Sequence, residues 1–140
     1  MERQKMDLFT KLRDMRILLI DDDEWIRDSL SIFFEGEGCY LQALETAEEG
    51  IKVLKSQEYD ILIIDYRLPG MDGLEFLKKI KGSHPNVVKI LITAYGTEEL
   101  FSRATKLGVR EFIEKPFTSK TIEESLARVI EGDGLTNASE

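Results

Sequence analysis

The sequence holds one cysteine, Cys39, and one histidine, His84. A single cysteine excludes an internal disulfide and a cysteine metal cluster. It lies among apolar residues and reads as a buried, reduced thiol. His84 stands beside Pro85 and reads as a surface-loop residue. Zinc sites and Ser/Cys–His catalytic triads therefore have almost no raw material here. Long apolar runs are missing too. No stretch approaches the roughly 20 apolar residues of a membrane helix, so no membrane span is expected. The start, MERQKMDLFTKLRDM, alternates charged and apolar residues and has no secretory leader pattern. The default location is the cytoplasm. Basic clusters are also scarce: the net charge is −8, and no dense Lys/Arg patch is present to neutralise phosphates, which weighs against direct nucleic-acid binding. Chemistry in this chain falls to carboxylates, lysines and hydroxyls.

What is present is a repeating pattern. The 140 residues suit one compact domain. Short apolar runs fall at Arg16–Asp21, Cys39–Leu44, Asp60–Asp65, Val87–Ile92 and Glu111–Glu114. The first, third and fourth are nearly continuous in Ile, Leu and Val, as parallel strands covered on both faces are. Between and after them run helical stripes: Ile26, Leu30, Phe33 and Phe34; Ala47, Ile51 and Leu54; Leu74, Leu77 and Ile80; Leu100, Ala104 and Leu107; Ile122, Leu126 and Val129. Thr46 and Thr118 are placed to cap helices, and Gly36, Gly38 and Gly108 follow helix ends. Strict strand–helix alternation predicts an α/β fold, a doubly wound parallel sheet with right-handed crossovers. Three segments are expected: an N-terminal extension over 1–14 that can form a helix with Leu8, Leu12 and Met15 on one face, a domain over 15–131, and a flexible C-terminal tail over 132–140.

In such sheets functional groups gather at the C-terminal ends of the strands. Strand one ends in Asp21-Asp22-Asp23-Glu24, strand three in Asp65, strand four in Thr93, and Lys115-Pro116 follows strand five. Each has an ordinary explanation. An acidic run often marks a helix N-terminus, Thr93 suits a turn, and Lys115 suits a solvated surface. Their joint occurrence at one rim does not. Carboxylates from two strands repel one another and call for a cation, and an all-oxygen donor set without His or Cys selects Mg²⁺ or a similar hard ion. A carboxylate can also act as a nucleophile and form an aspartyl phosphate. A divalent ion, an ammonium and a hydroxyl are the groups suited to the phosphoryl oxygens.

The stretches ILLIDDDEW, ILIIDYRLPGMDGLEFL, ILITAYG and FIEKPF together resemble the response-regulator receiver family over about residues 15–131, and the TAYG and EKPF wording resembles its nitrogen-regulation class. The resemblance implies a flavodoxin-like (βα)5 fold, with five flanking helices and strand order 2-1-3-4-5. It implies that Asp65 is the phospho-acceptor. It implies a Mg²⁺ site, with Mn²⁺ able to substitute, made by Asp21, Asp22, Asp65 and the backbone carbonyl of Arg67. Asp22 is the expected direct ligand, Asp21 acts through water, and Asp23 caps the first helix instead. Thr93, Ala94 and Lys115 are implied to contact the phosphoryl group, with Pro116 in the adjoining position that is often cis. Thr93 and Phe112 are the implied switch pair; Phe112 has no hydroxyl and so favours an inward rotamer. Pro69-Gly70-Met71-Asp72-Gly73 matches the loop after the acceptor, where glycines permit a tight turn and a close backbone approach. Arg67 and Tyr95 fall at the variable positions that flank the reaction site, and their size predicts slow loss of phosphate.

The expected partners are a sensor histidine kinase or a phosphotransfer protein upstream, and a downstream protein or an absent output domain. The readout face is that of helix four, strand five and helix five, counting the helices that follow the strands; it is also the face for a homodimer. Phe101, at the edge of its stripe, either closes the core or contacts a partner. Trp25 is expected at the rim without chemistry. The chain reads as a signalling phospho-acceptor rather than an enzyme. It would be a stand-alone receiver, a relay shuttle or the first domain of a longer regulator. Two other readings stay open. The spacing Asp21-x-Asp23 also suits a haloacid-dehalogenase-type phosphatase, and a receiver fold can serve as an interaction module that is never phosphorylated.

Overall fold

The computed structural model describes the backbone of residues 2–139 and the side chains of residues 7–131. The element order is α1 (Glu2–Leu12), β1 (Arg16–Ile20), α2 (Glu24–Gly36), β2 (Tyr40–Leu44), α3 (Ala47–Ser56), β3 (Ile61–Asp65), α4 (Gly73–Ile80), β4 (Val88–Thr93), α5 (Glu98–Lys106), β5 (Val109–Glu114) and α6 (Ser119–Ser139). The strands form one five-stranded sheet in the order β2-β1-β3-β4-β5, and every neighbouring pair is parallel. This is the flavodoxin-like α/β arrangement expected. The helix count differs: six helices are present among the described residues, because α1 precedes the first strand. The readout face anticipated above is therefore α5, β5 and α6. Residues 132–140, read above as a flexible tail, lie outside the residues whose side chains are described.

Alternation along the strands builds two cores. Leu18 and Ile20 of β1, Leu62 and Ile64 of β3 and Leu91 of β4 face one side with Leu54, Phe76, Leu77, Leu100 and Ala104. Ile17 and Leu19, Ile61 and Ile63, and Ile90 and Ile92 face the other with Leu30, Phe34, Ile122, Leu126 and Val129. Hence α3, α4 and α5 cover one face and α1, α2 and α6 the other. All five residues of β3 are buried, as the central strand requires. The N-terminal segment adds Leu8, Phe9 and Leu12 to the second core, with Phe9 set edge-on to Phe33 of α2 at 5.8 Å between ring centroids.

Local chemistry sets the helix starts. Asp23 accepts from the amides of Trp25 and Ile26 and caps α2. Thr46 with Glu49, and Asp72 with Glu75, form reciprocal capping boxes on α3 and α4. Thr118 Oγ1 accepts from the Thr121 amide at 3.3 Å. Gly38 and Gly108, after α2 and α5, adopt φ of 78° and 98°, where only glycine avoids a steric penalty. Cys39 is a buried free thiol, pushed up in pKa first by that burial. His84 is half-buried, with Nε2 3.0 Å from the carbonyl oxygen of Leu54, so it ties the α4–β4 loop to α3.

Candidate phosphoryl and cation site

Strand register brings the polar groups together. Ile20 of β1 pairs with Ile64 of β3, so Asp21 and Asp65 emerge side by side at the same rim. Thr93 pairs with Glu114, which places Lys115 just beyond the end of β4. Asp21 is fully buried, and its amide donates to the carbonyl of Leu44 at 3.0 Å. Its Oδ1 accepts from the Asp23 amide at 2.9 Å. Asp65 is 3% exposed. Its Oδ2 accepts from Lys115 Nζ at 2.9 Å, and its Oδ1 accepts from the Arg67 amide at 3.3 Å. Lys115 Nζ also stands 3.4 Å from Asp21 Oδ2, and the peptide bond to Pro116 is cis.

The electrostatics follow from this crowding. Burial, reinforced by the charge on Asp65, pushes Asp21 up to about 6, against the opposing pull of the Asp23 amide and Lys115. Asp65 is also raised. Burial is again the main cause and Asp22 adds to it, while Lys115 and the Arg67 amide oppose. Burial alone would lower Lys115, but the Asp65 hydrogen bond and the two carboxylate charges outweigh it and raise the ammonium. One lysine thus serves two buried carboxylates, and carboxylate oxygens of Asp21, Asp22 and Asp65 lie within 4.8 Å of one another. Asp21 Oδ2 is buried and accepts no hydrogen bond. A buried carboxylate oxygen with no hydrogen bond and only a shared ammonium at 3.4 Å, in an all-oxygen cluster with excess negative charge, is what a hard divalent cation suits. The residues present fit such an ion.

The remaining candidates are placed as follows. Thr93 is buried, but its hydroxyl is engaged with the backbone of Tyr95, donating to the carbonyl and accepting from the amide, both at 3.1 Å. Ala94, Tyr95 and Arg67 are exposed. Phe112 is half-buried and packs on Phe101, with ring centroids 4.6 Å apart. Phe101, left open between core and surface by its spacing, is half-buried over Gly96. A Cβ at Gly96 would come within 2.3 Å of the Phe101 ring. Trp25 is 78% exposed beside the acidic turn. It borders an apolar cleft of about 490 Å³ between α2 and the β5–α6 connection, lined by Ile26, Leu30, Phe33, Pro116 and Phe117. Asp23 is occupied by capping α2, so the pair Asp21-x-Asp23 does not point two free carboxylates at one centre, which removes the main support for the dehalogenase-type reading.

Glu48 and Arg27 were not singled out in the sequence, whereas Gly73 was named there with its loop. A Cβ at Gly73 would lie 2.7 Å from the main-chain oxygen of Asp65, so the close approach expected of the Pro69–Gly73 loop resides at this glycine. Glu48 of α3 accepts from the Met71 amide at 3.4 Å and steadies the same loop. Arg27 donates from Nη1 to the main-chain oxygen of Asp21 at 3.0 Å. Its position after the acidic run was the one signal for it, and helix periodicity alone gives such a residue no task.

The model of the response regulator receiver domain matches residues 17–127. The chain belongs to that family. Among relatives of this receiver, the DNA-binding transcriptional regulator NtrC of Proteus hauseri is 35% identical over 113 residues, covering 81% of this chain and 23% of that protein. Sporulation initiation phosphotransferase F of Bacillus subtilis (strain 168) is 29% identical over 115 residues, covering 82% and 93%. A CheY-like response regulator receiver domain protein from Methanospirillum hungatei JF-1, solved by crystallography, superposes with a TM-score of 0.80 at 29% identity, covering 87% of this chain and 98% of that one. The receiver spans less than half the length of most of the relatives it matches. Among the described residues, no helix is long and apolar enough to cross a membrane.

Proposed function

We propose that this receiver accepts a phosphoryl group on Asp65 from a phosphohistidine of a sensor kinase or phosphotransfer protein, in the cytoplasm, and passes the change to its α5–β5–α6 face. The observation that carries the reading is the placement of Asp65: nearly buried at the end of the central strand, 2.9 Å from Lys115 and grouped with Asp21 and Asp22. Asp65 attacks phosphorus in line, forming a P–O bond as the P–N bond to the donor imidazole breaks, and the imidazole nitrogen keeps the electron pair. Asp21, Asp22, Asp65 and the main-chain oxygen of Arg67 would hold Mg²⁺, or Mn²⁺ in its place, which supplies charge neutralisation at the phosphoryl oxygens. Lys115 follows its present partner Asp65 onto a phosphoryl oxygen. The amide of Ala94 and the Thr93 hydroxyl take others, once Thr93 leaves Tyr95.

Release of Tyr95 frees the loop that carries Gly96, on which Phe101 rests. Phe101 and Phe112 then repack together, which alters α5 and β5 as a population shift between two packings. The altered face controls a downstream protein, an output domain or a second copy of the receiver. The apolar cleft beginning at Trp25 and Lys115 is suited to seat the donor domain beside Asp65. The exposed side chains of Arg67 and Tyr95 border the site and slow hydrolysis; a phosphoryl half-life of seconds, unchanged by shrinking both, would contradict this.

The test is intact-mass measurement after incubation with acetyl phosphate and Mg²⁺. The wild-type chain gains one phosphoryl group and the Asp65→Asn chain gains none. Absence of any Mg²⁺-dependent gain would leave an interaction module that is never phosphorylated. A gain that survives Asp65→Asn would move the acceptor elsewhere.

A further inference from the structure

Arg27 lies on the first turn of α2, half-buried, and reaches back over that turn to the main chain of the acidic pair. Its Nη1 donates to the carbonyl oxygen of Asp21 at 3.0 Å. Among the described residues, no carboxylate forms a salt bridge with it. That carbonyl and the Asp22 amide belong to one planar peptide unit. A donor that fixes the carbonyl therefore fixes the plane from which both aspartates project. Two further bonds act nearby: the Asp21 amide is held by Leu44, and Asp21 Oδ1 accepts from the Asp23 amide, which restrains the peptide on the far side of Asp22. The Asp22 side chain is exposed, and no hydrogen bond among the described residues holds it. The direction of Asp22 is thus set by its backbone, held on the far side by Asp21 Oδ1 and on the near side, at the peptide shared with Asp21, by Arg27.

We infer that Arg27 is a positioning residue for the cation site, holding the Asp21–Asp22 peptide so that both carboxylates converge toward Asp65. The inference rests on the reading of Asp21, Asp22 and Asp65 as a divalent-cation site. Two effects of Arg27 oppose each other. Its positive charge repels a divalent ion, and its hydrogen bond orders the ligands. Repulsion alone predicts tighter Mg²⁺ binding when the charge is removed, and ordering predicts weaker binding. Supporting groups around metal ligands are worth roughly 10–100-fold in affinity, whereas a half-exposed charge is screened. Ordering therefore wins.

The experiment is a calorimetric titration of Mg²⁺ into the full chain, comparing wild type, Arg27→Met, Arg27→Ala and Arg27→Lys, with melting in EDTA as the control for folding. Arg27→Met keeps the aliphatic stem and loses the donor. It should weaken Mg²⁺ binding by roughly tenfold with little change in metal-free melting, and Arg27→Lys, which keeps a donor, should recover much of the loss. Acetyl-phosphate labelling should slow at low Mg²⁺ and return to the wild-type rate at saturation, a change in the Mg²⁺ requirement and not in the maximal rate. Arg27→Ala gives the same sign should Arg27→Met fail to fold. Mg²⁺ binding in Arg27→Met and Arg27→Ala as tight as wild type, or tighter, overturns the inference. Failure of the wild-type chain to bind Mg²⁺ overturns the cation-site reading itself, a distinct result.

Discussion

The Thr93 hydroxyl is closed on the backbone of Tyr95, donating to its carbonyl and accepting from its amide at 3.1 Å each. A hydroxyl so placed has no donor left for a phosphoryl oxygen, so under the proposed activation it must give up at least its bond to the Tyr95 carbonyl. New charge-assisted bonds are stronger than the neutral ones they replace. Thr93→Val should therefore leave Asp65 labelling by acetyl phosphate near the wild-type rate while abolishing the phosphorylation-dependent change on α5 and β5. Amide chemical-shift changes at residues 98–114 after labelling are the measurement. Changes of wild-type size in Thr93→Val would contradict the role given to Thr93.

The Asp21 pKa gives a pH dependence with a definite sign. Its folded value is about 6 against an ordinary 3.8, chiefly through burial. Between those values the folded chain holds a proton that the unfolded chain has lost. Asp21 therefore contributes stability that is full below 3.8 and is lost as pH rises through about 6. The difference amounts to about 3 kcal/mol at roughly 1.4 kcal/mol for each pKa unit. Without Mg²⁺, Asp21→Asn should stabilise the chain at pH 7 and do so much less at pH 4.5, as measured by urea denaturation. An equal effect at both pH values would show that Asp21 titrates normally.

Gly73→Ala should be more damaging than its exchange of one hydrogen for a methyl suggests. The added carbon would sit 2.7 Å from the Asp65 main-chain oxygen and 3.0 Å from the Tyr66 Cα. Both are backbone atoms and cannot rotate away. Overpacking of this kind costs about 1–3 kcal/mol, and the relief runs through Asp65 itself. Lower urea stability together with slower acetyl-phosphate labelling is expected; unchanged labelling would show that the loop yields instead.

Gly96→Ala has a softer obstacle. Its methyl would meet the Phe101 ring at 2.3 Å, the far end of a side chain that can turn. The ring should leave Gly96 and its contact with Phe112. Phe101→Leu should relieve the clash, so the double variant should be more stable than the sum of the single effects. A double-mutant cycle on urea stability reads the coupling, and strict additivity would show that the two positions do not meet.

Phe9→Ala tests the N-terminal helix. Phe9 is 1% exposed, packed on Phe33. Truncating a buried phenylalanine costs roughly 3–5 kcal/mol, and undocking of α1 limits the loss to what α1 contributes. Removal of residues 1–13 should then lower urea stability by a similar amount. A negligible effect of Phe9→Ala would show that α1 is only loosely attached.

The sheet and its rim were legible because strand burial is written in runs such as Ile61–Ile64, and because parallel α/β sheets deliver strand ends to one edge. Asp21, Asp65, Thr93 and Lys115 could be assigned to one rim from their places after those runs. The resemblance implied that Asp23 caps the helix, and its carboxylate does accept from the Trp25 and Ile26 amides, a local, short-range interaction. The state of the site was not legible. Whether Thr93 faces the acceptor or its own loop depends on competing hydrogen bonds of similar strength, as does the choice of Lys115 between two carboxylates. Phe101 and Gly96 meet only because α5 folds back over the loop before it, and Phe9 finds its place only once α2 and α6 are side by side. The periodic sequence by itself determined which residues are buried and which strand ends bear charge, since these follow from the spacing of apolar side chains along the chain. The tertiary structure decided which polar atoms are satisfied, which carboxylate oxygen is left bare and what Arg27 holds, since these depend on distances of a few ångströms between residues that the chain keeps apart.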